Sequence, residues 1–263
     1  MKNKYLYFIL LLNVFYQAFF ISHSYSDDKI DISFKFIAYL GGLKIGQADG
    51  KFTINNNTYI FEYNAKSSGL ISLIYKWKQY LKAEGIVTKS DIPLNSTSYY
   101  SSDIRGEKMG HMNISYGKNI VEVISAKPNP KDDDRRNSIS NELRKNTFDP
   151  ASAFISLGFN IKKYDSCTAI VPIFDGRRRY NIKSTDGGIE ILKSTKIKQI
   201  EGIVKRCNIQ FERIDGYTKK ELAKHPTDGH ILYKKYENIN LFFPVKVTLS
   251  SKYGSFVGYL FEN

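Results

Sequence analysis

The chain has 263 residues, a formal net charge of +13 and a hydrophobic fraction of 42%. That is too apolar for a disordered chain and long enough for one sizeable core or two small ones. Aromatic residues, mostly Tyr and Phe, favour strands over helices. The basic excess is scattered Lys, not the dense Lys/Arg stripe that nucleic-acid binding requires, so nucleic acid is not an expected partner.

Met1-Lys2-Asn3-Lys4 is a short basic region, followed by an almost uninterrupted apolar run from Tyr5 to Ile21. Ser22-His23-Ser24-Tyr25-Ser26 then offers small residues where a signal peptidase reads, before Asp27-Asp28. The pattern predicts a signal peptide over residues 1–24, with cleavage after Ser24 or Ser26, and a mature chain in the periplasm. Membrane contact is expected only through the signal segment before cleavage. The alternative is an uncleaved anchor, because the apolar run approaches spanning length. Beyond Ile21 no other stretch is apolar enough to cross as a helix. The two cysteines, Cys167 and Cys207, form an even pair for an oxidising compartment and predict one disulfide. Two buried free thiols are the alternative.

Residues 27–263 read as one β-rich domain. Ile30, Ile32, Phe34, Phe36, Ala38 and Leu40 alternate along a first strand, and Gly41-Gly42 turns the chain into a second reaching about Ile54. After Asn55-Asn56-Asn57, Tyr59, Phe61, Tyr63 and Ala65 alternate again. Gly69 to Ile74 breaks the rhythm as a short apolar turn or half-helix. Tyr75 to Val87 resumes it, with Trp77, Gln79 and Leu81 on one side and Tyr80 on the other. Further strands are expected near Ser96–Ser102, Lys108–Tyr116 and Ile120–Ala126.

Residues 127–137, with Pro128, Pro130, three Asp and two Arg, read as an exposed, mobile loop. Asp149 is a helix cap and Pro150 suits the first helical position. Ala151, Phe154, Ile155 and Leu157 form an apolar stripe that Gly158 is expected to end. Asp-Gly pairs at 175–176, 186–187, 215–216 and 228–229 are read as hairpin turns, and Ser255 to Phe261 as a closing strand. The expected fold is mainly β: a strongly curved antiparallel sheet with one or two short helices capping its concave side.

No phosphate-cradling loop, nucleotide-binding fingerprint, nucleophile elbow or H-E-x-x-H is present, so no catalytic residue and no cofactor is expected. His225 and His230 flank a Pro-Thr-Asp-Gly stretch at a spacing that would suit a metal, yet a solvated loop is the preferred reading and no metal is expected. An enzyme built on Asp149, an Arg and His111 has no positive support. Arg177-Arg178-Arg179 follows a tight turn. Alternation sends Arg177 and Arg179 to one face and Arg178 to the other, and their guanidinium forks suit phosphate or carboxylate. Pairing within the chain, with Asp149, Asp175 or Asp186, is the alternative.

Five stretches occur in an order that resembles the exported bacterial domain-of-unknown-function 3108 family: Phe36 to Gly46, Glu84-Gly85 followed by Pro93, Phe148 to Ala153, Phe174 to Tyr180, and Phe243-Pro244-Val245. The resemblance spans nearly the whole mature chain. It implies a fold similar to periplasmic lipoprotein-carrier half-barrels, whose curved sheet holds acyl chains against a helical lid, and it supplies no catalytic residue.

The expected role is a non-enzymatic binder or carrier of a hydrophobic or amphipathic envelope ligand, such as a lipid or an acylated protein. Arg177, Arg179 and Phe154 are the candidate ligand contacts. The alternative is a structural or assembly partner in the envelope.

Overall fold

The computed structural model describes residues 29–88, 94–193, 200–223, 226–237, 239–251 and 254–262. The expected signal segment and His225 lie outside the described residues. Thirteen strands form one antiparallel sheet. The first seven are β1 (Ile30–Leu40), β2 (Leu43–Asn55), β3 (Thr58–Ser67), β4 (Trp77–Val87), β5 (Leu94–Arg105), β6 (Lys108–Tyr116) and β7 (Val121–Lys127). The other six are β8 (Ala169–Phe174), β9 (Arg179–Leu192), β10 (Gly202–Asp215), β11 (Asp228–Tyr236), β12 (Leu241–Leu249) and β13 (Phe256–Glu262). Short helices α1 (Ile71–Ile74), α2 (Asn141–Arg144) and α4 (Lys219–Leu222) sit in connections, and α3 (Pro150–Tyr164) is the long one.

The spatial order runs β7 to β1 and then β13 to β8, so β1 pairs with the last strand of the chain. Each half is a meander, and one crossover, residues 128–168, joins the two outer edges. A sheet of this length curls as its twist accumulates. It remains open, with β7 and β8 as its edges. Period-two alternation turns Phe34, Phe52, Tyr59, Ile182, Ile209 and Phe243 into the concave side, where they pack with Ile155, Leu157 and Ile161 of α3. A second cluster joins Tyr99, Ile114 and Tyr116 to Ile139 and Phe174, filling the gap between the edges. There the Tyr116 hydroxyl donates to the Phe174 carbonyl (2.5 Å).

The start of α3 ties these parts together. Phe148 makes a parallel bridge to Ile173 of β8. The next residue, Asp149, is fully buried and accepts from the backbone N–H groups of Ala151 and Ser152, both at 2.9 Å, as the cap of α3. Its other oxygen accepts from Ser96 Oγ on β5 (2.7 Å). Tyr59 Oη on β3 donates to Ser152 Oγ (2.7 Å). Burial pushes the Asp149 carboxyl up from its ordinary value, and the four donors it meets pull it back.

Five local expectations are corrected. Gly158 does not end α3, which runs on to Tyr164 and stops at Asp165 in the left-handed region. A Cβ on Gly158 would sit 1.9 Å from the Phe242 carbonyl oxygen, so this glycine lets the helix approach β12 closely. Among the Asp-Gly pairs only 175–176 closes a hairpin, with Gly176 at φ +87°. Asp186-Gly187 lies within β9, and Asp228-Gly229 opens β11, where a Cβ on Gly229 would meet the Thr248 carbonyl at 2.1 Å. Asp215-Gly216 ends β10 and leads into α4 instead of a paired strand. The 127–137 stretch is exposed but anchored by Arg136, whose buried side chain reaches Asp133, Glu221 and the Gly216 carbonyl.

Cys167 and Cys207 are bonded, with Cα atoms 5.4 Å apart and 40 residues of separation. The bond joins the end of the crossover to β10. Removing it with Cys167→Ser and Cys207→Ser frees that loop in the unfolded chain, an effect of roughly 3–4 kcal/mol on the chain-entropy estimate. Denaturant titration of the double variant should show that loss, and unreduced wild-type protein should yield no reactive thiol from this pair. For Asp149, Asp149→Ala removes the cap and strands Ser96, at a cost of about 2–3 kcal/mol. Asp149→Asn keeps an acceptor without the buried charge and should cost clearly less in the same titration.

Candidate functional site

An apolar cavity of about 370 Å³ opens on the concave side of β1–β4, β12 and β13. It exists because small residues face one another across three strands. Ala38 pairs with Gly46 across β1 and β2, and Ala48 pairs with Ala65 across β2 and β3. All four line the cavity. Larger side chains at these positions would fill the space as Phe34, Phe52 and Phe243 do lower in the sheet. The walls are aromatic: Phe34 stacks on Phe61 (centroids 5.5 Å), and Phe36, Tyr63, Trp77, Phe154 and Phe256 complete them. Tyr233 Oη holds the α3 backbone through the Phe154 carbonyl (2.7 Å), which fixes where the Phe154 ring enters.

Among the described residues no Asp, Glu, Lys or Arg lines this cavity. Its polar groups are Gln47, Gln79 and Tyr63, and the Tyr63 hydroxyl is spent on Gln79 Oε1 (2.8 Å). Burial pushes the Tyr63 phenol up to about 12, so it carries no charge near neutral pH. Lys44 donates to Gln47 Oε1 (3.2 Å) and brings one cation close behind that rim residue. An uncharged apolar void of this size lies within the roughly 300–1,000 Å³ range of small-molecule sites, and its lining favours hydrocarbon over water.

Of the ligand contacts expected from sequence, Phe154 is in the cavity wall and Arg177 and Arg179 are not. Arg177 donates to the Pro128 carbonyl, and Arg179 to the carbonyls of Leu143 (2.8 Å) and Tyr180 (2.6 Å) and to Asn181 Oδ1 (2.7 Å). Both guanidinium groups thus brace the crossover against β8 and β9. Arg177 and Arg178 lie in the turn before β9, and Arg178 lines a second, smaller hollow of about 180 Å³ with Tyr180, Phe211 and Tyr217. It pairs with Asp175 (2.7 Å), one of the three internal partners expected from sequence.

Among the described residues no three His, Cys, Asp or Glu side chains come together as a metal site. His230 lies 3.3 Å from Arg206, and burial followed by that cation pushes its imidazole below its ordinary value. His111 lies on β6, in register with Ser102 and Lys127. No described helix is long and apolar enough to cross a membrane.

A family model described as a protein of unknown function (DUF3108) matches residues 32–260. Comparison with curated proteins gives no match. Among solved structures, the chain is similar to a beta-barrel-like protein of domain of unknown function DUF1849 from Brucella abortus. The two share 11% identity at a TM-score of 0.49, over 88% of this chain and 95% of that one.

The bracing contacts of Arg177 and Arg179 lead to an expected outcome for Arg177→Gln with Arg179→Gln. The double variant should lower stability by about 1–3 kcal/mol through lost charge-assisted hydrogen bonds, read by thermal unfolding. Occupancy of the apolar cavity, read through Trp77 emission, should stay at the wild-type level.

Proposed function

We propose that this chain, which belongs to the DUF3108 family, is an exported carrier or binder of a hydrophobic envelope ligand. In this reading an acyl chain, free or attached to a lipid or protein, is held in the cavity between Ala38, Ala48, Trp77 and Phe154. The observation that carries it is the uncharged void itself, framed by aligned small residues in a sheet that otherwise packs aromatic side chains inward. Burial of hydrocarbon there gains about 25 cal/mol for each Å² of apolar surface taken from water. With no charge in the wall, binding would select for apolar length, and a polar head would remain at the Gln47 and Gln79 rim. The disulfide supports an oxidising compartment, and the N-terminal sequence supports export to the periplasm.

Trp77 is the single tryptophan and lines the cavity, so it reports occupancy directly. Titration with cis-parinaric acid should quench Trp77 by energy transfer, saturating at one ligand per chain. Ala38→Leu with Ala48→Leu fills the void and should weaken binding at least tenfold. Its stability should change by less than about 1–3 kcal/mol, the range for added core methylenes. Absence of transfer in the wild type, or equal binding by the filled variant, would reject the carrier reading. The envelope-partner reading would then gain weight, on the exposed Ile189, Ile191 and Ile203 of β9 and β10, of which Ile191 and Ile203 face each other in register.

A further inference from the structure

We propose a membrane-docking surface at the end of the sheet that holds the β1–β2 turn and the β3–β4 connection, with an anionic lipid bilayer as its partner. The connection between β3 and β4 carries Leu70, Leu73 and Ile74, which are 80%, 78% and 84% exposed. Leu43, the first residue of β2 after the neighbouring turn, is 69% exposed, and Tyr75 is 49% exposed. The two segments touch, since Ser68 N donates to the Ile45 carbonyl (3.2 Å). Five large apolar side chains therefore form one projecting tip, whereas a scattered exposed Leu elsewhere needs no explanation.

Charge selects the partner. Residues 43–47 and 66–78 contain Lys44, Lys66, Lys76 and Lys78 and no acidic residue. Lys66 and Lys78 are register partners on adjacent strands, an arrangement that repels unless an outside anion screens it. Asp49, which lines an outer groove together with Lys66 and Lys78, already pairs with Lys35 (3.8 Å). Apolar residues projecting between lysines match a bilayer whose hydrocarbon takes Leu and Ile while its anionic headgroups take the ammonium groups. Each lysine near such a surface adds an attraction that falls off within a Debye length and is reduced by salt.

Continuity with the cavity gives the docking a purpose. Ala65 lies two residues before the end of β3, and Trp77 opens β4. Both line the cavity and flank the projecting connection. Gly46 and Ala38 similarly flank the β1–β2 turn. A bilayer seated here would meet the protein where the lining residues begin. This deepens the carrier reading and rests on it for its purpose. The docking itself is tested without any cavity ligand.

The native cysteines are bonded to each other, so Leu73→Cys supplies a single thiol for a nitrobenzoxadiazole label. Asn57→Cys, in the β2–β3 turn at the opposite end of β3, supplies the control label. With vesicles containing phosphatidylglycerol, the label at position 73 should brighten several-fold and shift to the blue, and the label at position 57 should not. Pure phosphatidylcholine vesicles should give at least tenfold weaker binding. Lys66→Gln with Lys78→Gln should weaken it similarly and flatten its salt dependence. The site-specific labels read insertion of this tip whether or not an N-terminal segment remains attached. An unchanged signal at position 73, or equal changes at both positions, would overturn the proposal. So would a Leu70→Ser, Leu73→Ser, Ile74→Ser variant that turns a dimeric wild type into a monomer, because the tip would then be a self-association surface. Parinarate binding through Trp77 in vesicle-free solution should be untouched by that triple variant, so failure of docking and failure of the carrier reading are separately visible.

Discussion

The fold depends on a buried carboxylate. Asp149 caps α3, holds Ser96 on β5, and follows a residue whose backbone is bridged to β8. One short stretch thus touches a strand in each half of the sheet, β5 and the edge strand β8, and aims the helix into the concavity between them. Burying a charge without partners would be prohibitive, and here every partner is local or on a strand that must be in place for folding. The interaction therefore acts as a condition on the fold: the second carboxylate oxygen is satisfied by Ser96 only when the sheet has curled far enough to bring β5 to the helix start. Tyr59, whose phenol is pushed up by burial and then by the nearby Asp149 charge, adds β3 to the same junction through Ser152.

The position of α3 sets the rest. Its buried face packs Ile155, Leu157 and Ile161 against the second-half strands, and Gly158 lets it press onto β12. Phe154 projects from the helix toward the other side, where β1 to β3 present Ala38, Gly46, Ala48 and Ala65. Close packing at one end and a void at the other follow from the same placement. A helix seated one turn higher would put its side chains over the small residues and fill the space.

Much of this architecture was legible in the sequence, because it rests on local signals. Alternation located the strands, and Asp149-Pro150 marked the helix start from capping chemistry alone. The Gly69–Ile74 interruption was visible as a break in period. What was illegible depended on partners distant in the chain. Gly158 looks like a helix stop until Phe242 is known to lie against it. Asp186-Gly187 and Asp228-Gly229 look like turns until β10 and β12 are seen to pass close by. The cavity was hidden for the same reason: Ala38, Gly46, Ala48 and Ala65 are unremarkable singly and meaningful only in register. Arg177 and Arg179 attracted attention as guanidinium groups, yet which carbonyls they meet is decided by a crossover whose course the local pattern does not specify.

The charge of the chain makes the same point. A formal +13 says little as a total, because some strand lysines sit beside an acid, as in Lys51–Asp31 (2.8 Å), Lys82–Glu84 (2.6 Å) and Lys183–Glu212 (2.5 Å). Such exposed pairs contribute little stability, roughly 0–1 kcal/mol each. Their effect is to balance charge locally where they occur. The segments bearing the projecting leucines differ from those pairs, since their sequence places four lysines and no acid beside the most exposed apolar side chains. A soluble surface evolving only for solubility would have little reason to separate its charges in this way, because mixed signs and buried leucines serve that end better. The separation is explained when apolar tip and unpaired cations act on one partner that is itself apolar within and anionic at its face.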